Sequence, residues 1–90
     1  MSMSERQLER IVKGFANHRR IQMMELLQKH PELTLQDIGL RLKIGVKTAS
    51  EHLRRLAIAG LVMKRYDHRW VRHRLSRRGR LILTFLRKLE

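Results

Sequence analysis

Lys47, Thr48, Ser50, Glu51, Arg54 and Arg55 gather donors, acceptors and positive charge into one short stretch. Lysine and arginine donate to phosphate oxygens or to guanine, hydroxyls donate and accept, and a carboxylate accepts from cytosine N4. No nucleophile, acid–base pair or metal constellation stands out beside them, so this chemistry is recognition and the chain reads as no enzyme. On a helical wheel, Ala49, Leu53 and Leu56 lie within about 60° of each other and form a buried stripe. Lys47, Glu51, Arg54 and Ile58 lie opposite. Thr48 and Arg55 flank one edge and Ser50 the other. The set therefore occupies the solvent side of a helix spanning Val46–Ala59.

What must position that helix lies on either side of it. A shorter helix, Leu35–Leu42, precedes it, separated by the turn Lys43-Ile44-Gly45. Thr34 followed by Asp37 resembles a capping box, with Asp for the usual Glu or Gln. Gly45 suits the next N-cap, and Gly60 suits a left-handed helix end. A hairpin of Leu61–Tyr66 and Trp70–Leu75 follows, with polar Asp67-His68-Arg69 between. No Asn-Gly or Asp-Gly turn fixes its register. A helix-turn-helix with a basic two-stranded wing is thus expected. A duplex major groove admits one helix, and a preceding helix holds it there. The expected DNA contacts are Lys43, Val46, Lys47, Thr48, Ser50, Glu51, Arg54 and Arg55 on or beside the helix. On the wing they are Lys64, Arg65, Arg69, Arg72 and Arg74, against backbone or minor groove. Trp70 invites a base-stacking reading, but its ring is expected rather to pack at the base of the wing. His52 suits either packing at the helix flank or a phosphate contact.

Charge supports the same partner independently. The formal net charge is +13 over 90 residues. Residues 1–40 carry six Lys/Arg against five Asp/Glu, and residues 41–90 carry fifteen against three. The excess lies where the reading helix, wing and last helix lie, which is the electrostatic footprint of a nucleic-acid binder.

The rest of the chain supplies a frame. Leu8, Ile11, Val12 and Phe15 recur at helical spacing, so about Ser4–Ala16 is a first helix with Ser4 as N-cap. After Asn17, Ile21, Met24 and Leu27 form the stripe of a second helix, His18–Lys29, ended by His30-Pro31-Glu32. Leu81, Ile82, Leu83, Phe85, Leu86 and Leu89 cover more than one face of a last helix. The fold class is mainly α with a small β-hairpin, five helices plus the wing, in one domain over residues 1–90. That is small for a domain with a large catalytic pocket. There is no cysteine, hence no disulfide framework or thiolate site. No apolar run reaches the roughly 20 residues of a membrane span. The first residues lack the apolar region of a signal peptide, so a cytoplasmic location is expected.

The segment Leu42 to Val62 resembles the recognition segment of the ArsR-type winged helix-turn-helix regulators. The matching residues are Leu42, Thr48, Ser50, His52, Leu53, Leu56, Ala59, Gly60, Leu61 and Val62. Upstream, Asn17 through Leu27 is similar to the family's second-helix opening, and Arg69 through Leu75 to its returning wing strand. MarR-like families share much of this pattern. The resemblance implies a homodimeric transcriptional regulator, usually a repressor, with the first and last helices forming the dimer contact. Leu8, Ile11, Val12, Ile82, Phe85, Leu86 and Leu89 are the residues expected there. The family's metal-sensing arms are missing: no cysteine adjoins the third helix, and the last helix has no histidine. His68 and His73 alone do not make a metal site, so no metal or cofactor is expected. The function expected is sequence-specific double-stranded DNA binding for transcription regulation. The rivals are an architectural, nonspecific nucleic-acid protein and an RNA-associated winged-helix module.

Overall fold

Four side chains open four helices by accepting hydrogen bonds from backbone N–H groups that have no helical partner. In the computed structural model, which describes residues 2–90, Ser4 accepts from Gln7 N at 3.2 Å. Asn17 accepts from Arg19 N and Arg20 N, Thr34 from Asp37 N, and Ser76 from Gly79 N. Ser4 and Thr34 complete capping boxes, because Gln7 and Asp37 accept in return from the cap backbone. The hydrogen bonds to Thr34 hold the Asp37 carboxyl below its ordinary pKa, favouring a charge beside the positive helix start.

The elements follow in order as α1 (Glu5–Phe15), α2 (His18–Lys29), β1 (Leu33–Thr34), α3 (Leu35–Leu42), α4 (Val46–Ile58), β2 (Val62–Asp67), β3 (Trp70–Leu75) and α5 (Arg77–Arg87). Each expected helix is present within about a residue or two of its expected ends. Lys43 ends α3 in left-handed geometry at φ 57°, without the glycine usual there. Gly60 takes φ 74° just beyond α4, as its position implied. The core joins Phe15, Met23, Met24, Leu27, Ile38, Ala49, Leu53, Leu56, Leu61 and Leu83. Gly14 lets α1 cross α4 closely, since a Cβ there would overlap the Cβ of Ala59.

The sheet has one strand more than expected. Its order is β1-β3-β2, all antiparallel, with Leu33 opposite His73 and Thr34 opposite Arg72. Two residues are too short to show an alternating pattern, so β1 is invisible to periodicity. The hairpin runs from Val62 opposite Leu75 to Asp67 opposite Trp70. Its strand therefore starts one residue later than expected, and Leu61 is buried in the core instead. Only His68 and Arg69 make the turn, His68 at φ 56°. That register corrects the expectation for Trp70. It is the residue beside the turn, at the tip and not the base, 43% exposed with the Arg69 guanidinium 5.3 Å from the ring centroid. Val62 and Leu75 occupy the base.

Candidate nucleic-acid interface

Helix α4 is anchored on one side and open on the other. Ala49, Leu53 and Leu56 are buried, while Val46, Lys47, Thr48, Ser50, Glu51, Arg54 and Arg55 are exposed, as is Lys43 in the turn before them. The single carboxylate on this face is fully engaged. Arg54 donates to Glu51 through Nη2 at 2.7 Å and Nε at 3.2 Å, and Arg55 Nε donates at 3.2 Å. Arg54, then Arg55, hold the Glu51 carboxyl down at about 2, so it is ionised throughout the physiological range. Glu51 thus fixes two guanidinium groups side by side on the outward face. Val46 adds a half-exposed apolar group at the helix start, suited to a thymine methyl.

His52 lies on the inner flank of α4. Arg20 Nε donates to His52 Nδ1 at 3.1 Å, and Arg20 Nη1 reaches the carbonyl oxygens of Lys13 and Gly14. Arg20 therefore ties the end of α1 and the start of α2 to α4. Burial first, then the Arg20 charge, lowers the His52 pKa, in accord with an Nδ1 that accepts from Arg20. The packing role of His52 accounts for these contacts. The joining role of Arg20 was missed from sequence, because its partners lie up to 32 residues away.

The wing has two faces. Lys64, Tyr66, Val71 and His73 point towards α4 and α3, where with Leu35, Ser50 and Leu53 they line one hollow. On the other face, Arg65 stands directly opposite Arg72. Two like charges so placed repel, and two carboxylates offset them. Glu32 accepts from Arg65 at 3.1 Å, and Asp67 accepts from Arg72 at 2.9 Å. Arg72 also donates to the Glu32 carbonyl oxygen at 3.2 Å. Arg72 is thus half-buried and serves the wing itself. Among the described residues, Lys64, Arg69 and Arg74 have no acidic partner within salt-bridge distance, nor do Lys43 and Lys47 on the helix side. Glu32, which steadies the wing from 33 residues before Arg65, had no local sequence signal.

The residues expected at a dimer contact divide. Leu8, Val12, Phe85 and Leu89 are exposed on α1 and at the α5 end, whereas Ile11, Ile82 and Leu86 pack against the chain's own core. Leu81 is exposed as well. Among the described residues no group of three or more His, Cys, Asp or Glu could hold a metal ion, and no helix is long and apolar enough to cross a membrane.

Comparison with known proteins agrees with this geometry. The family model for bacterial regulatory proteins of the arsR family matches residues 17–64. Reduced HlyU from Vibrio cholerae N16961 superposes with a TM-score of 0.78 at 28% identity, over 92% of this chain and 87% of that one. The homodimeric winged helix-turn-helix DNA-binding domain of Mb0332 from Mycobacterium bovis, a possible ArsR-family transcriptional regulator, gives 0.84 at 25% identity, over 99% and 88%. The S. aureus MepR–DNA complex, at 20% identity, shares the fold, with a TM-score of 0.77 over 93% of this chain and 73% of that one. No curated protein gives a significant match. The chain belongs to the arsR family of bacterial regulatory proteins and is a DNA-binding winged helix-turn-helix transcriptional regulator.

Proposed function

We propose that this chain represses transcription as a homodimer in the cytoplasm, reading operator DNA through the major groove with α4 and gripping backbone or minor groove with the wing. It acts by binding, not by catalysis. The observation that carries this reading is the open face of α4, where Lys47, Thr48, Ser50, Glu51, Arg54 and Arg55 are exposed and backed by a buried stripe, beside wing cations that lack acidic partners. Lys43, Lys64, Arg69 and Arg74 are the cations left to meet phosphate, and Lys47 stands on the α4 face that meets base edges. Arg54 and Arg55 are held side by side by Glu51, an arrangement suited to two neighbouring acceptors. Arg65 and Arg72 contribute mainly by shaping the wing.

Salt titration tests the reading. If a dimer neutralises about eight phosphates, the log–log slope of affinity against salt is roughly −7, and affinity falls about 10⁴-fold between 50 and 200 mM. A slope near zero contradicts it. The dimer reading rests on the exposed apolar residues Leu8 and Val12 of α1 and Leu81, Phe85 and Leu89 at the end of the chain, which need cover. Phe85→Glu should leave the circular dichroism spectrum intact and sediment as a monomer. A folded variant that sediments as the parent dimer removes Phe85 from the contact.

A further inference from the structure

The hollow between the wing and α4 is built like a site for a small ligand. It measures about 180 Å³ and is lined by Leu35 of α3, Ser50 and Leu53 of α4, and Lys64, Tyr66, Val71 and His73 of the wing. Leu35, Leu53 and Val71 supply its apolar lining, and Ser50, Lys64, Tyr66 and His73 its polar groups. His73 is only 4% exposed. Its Nδ1 lies 3.0 Å from the Leu33 carbonyl oxygen, which can only accept, so Nδ1 carries the hydrogen. The other ring nitrogen, Nε2, has no protein partner among the described residues. Lys64 is directly across the ladder from His73, and its ammonium has no carboxylate within salt-bridge distance. A pocket with an apolar lining and a few convergent polar groups is the usual form of a small-molecule site.

We propose that this hollow binds a small organic acid, its carboxylate on the Lys64 ammonium with Ser50 Oγ and His73 Nε2 in reach of its polar atoms, and its hydrocarbon part on Leu35, Leu53 and Val71. Tyr66, which is 75% exposed, adds its ring to the lining. A ligand there wedges α4 against the wing and takes up the charge of Lys64. On the reading that both elements grip DNA, occupancy weakens DNA binding.

The test uses benzoate as the probe, with neutral benzamide as its near-isostere, at constant ionic strength. Backbone amide shifts of the full chain are followed by NMR. Benzoate should give saturable shifts centred on Ser50, Leu53, Lys64, Val71 and His73, and benzamide should not. Lys64→Gln removes a charge-assisted contact and should weaken benzoate at least about tenfold. Val71→Phe fills the hollow and should abolish the shifts, with Lys64→Gln deciding the matter should Val71→Phe fail to fold. Absence of saturation up to tens of millimolar, equal binding of benzamide, or shifts centred on other basic surfaces would overturn the site. Loss of DNA affinity on adding benzoate is measured separately. Saturable shifts with unchanged DNA affinity would leave the site standing and overturn its link to DNA.

Discussion

Helix α4 is set into the core through Ala49, Leu53 and Leu56, none more than 2% exposed, whereas the hairpin buries only Val62, His73 and Leu75. The outer half of the wing is held by its ladder and by two carboxylates, Glu32 and Asp67. Both regions are basic, but their positions have different causes. Apolar packing fixes a helix to within a rotamer, because a close-packed core has few alternative arrangements. A two-stranded ribbon held by backbone bonds and exposed ion pairs is easier to bend, since such pairs contribute little each. That difference suits one region to reading base edges, which demands exact placement, and the other to following a phosphate backbone, which does not.

The largest expected effect compares the two anchors. Leu56 is fully buried, so Leu56→Ala should cost about 2–5 kcal/mol through lost transfer energy and a cavity. Val71 is half-buried, and Val71→Ala should cost under about 1 kcal/mol, from partial burial of two methyl groups. Urea unfolding of both variants checks this. Equal losses would mean that the wing is as firmly built as the helix.

Acid supplies a smaller effect that sharpens the contrast. Burial lowers the pKa of His52 behind α4 and of His73 under the wing, aided by Arg20 and Lys64 respectively. A histidine whose folded pKa is depressed binds its proton more readily when unfolded, so stability rises with pH. Its contribution is complete above the ordinary value of about 6.5 and is lost as pH falls from there through the depressed folded values. Thermal melts should therefore decline below about pH 6.5. Amide protection relative to the intrinsic exchange rate should fall at low pH in Val62–Asp67 and Trp70–Leu75 before it falls in α4. His73→Phe should remove this wing response and leave that of α4. Simultaneous opening of both regions would show that the wing has no independent looseness.

The same contrast explains what was legible in the sequence. The face of α4 followed from the spacing of Ala49, Leu53 and Leu56, and its limits from Gly45 and Gly60, because helix periodicity and caps are local signals. The Thr34–Asp37 capping box was likewise readable from four adjacent residues. The wing depends on distant partners. Strand β1 pairs Leu33 with His73, 40 positions later, and nothing near Leu33 announces a strand. The tip position of Trp70 follows from a register that no Asn-Gly turn had fixed. Arg65 and Arg72, expected as DNA contacts, carry ion pairs to Glu32 and Asp67 that the sequence did not announce. Charge composition marks a surface as basic, but only the fold says which cations have acidic partners. The seven apolar residues expected at a dimer contact split for the same reason, since Ile82 and Leu86 face the chain's own core.

Selection of DNA from a randomised pool, run in parallel on Lys47→Ala and Arg74→Ala, tests the division between reading helix and gripping wing most directly. Both residues are exposed and neither has an acidic partner, so both substitutions should leave the fold unchanged. Lys47→Ala should lose roughly 1–3 kcal/mol on the preferred site and relax the preference at one base pair. Arg74→Ala should weaken every sequence about equally, keep the selected motif and reduce the salt slope by about one per protomer. An unchanged motif for Lys47→Ala together with an altered one for Arg74→Ala would contradict the account.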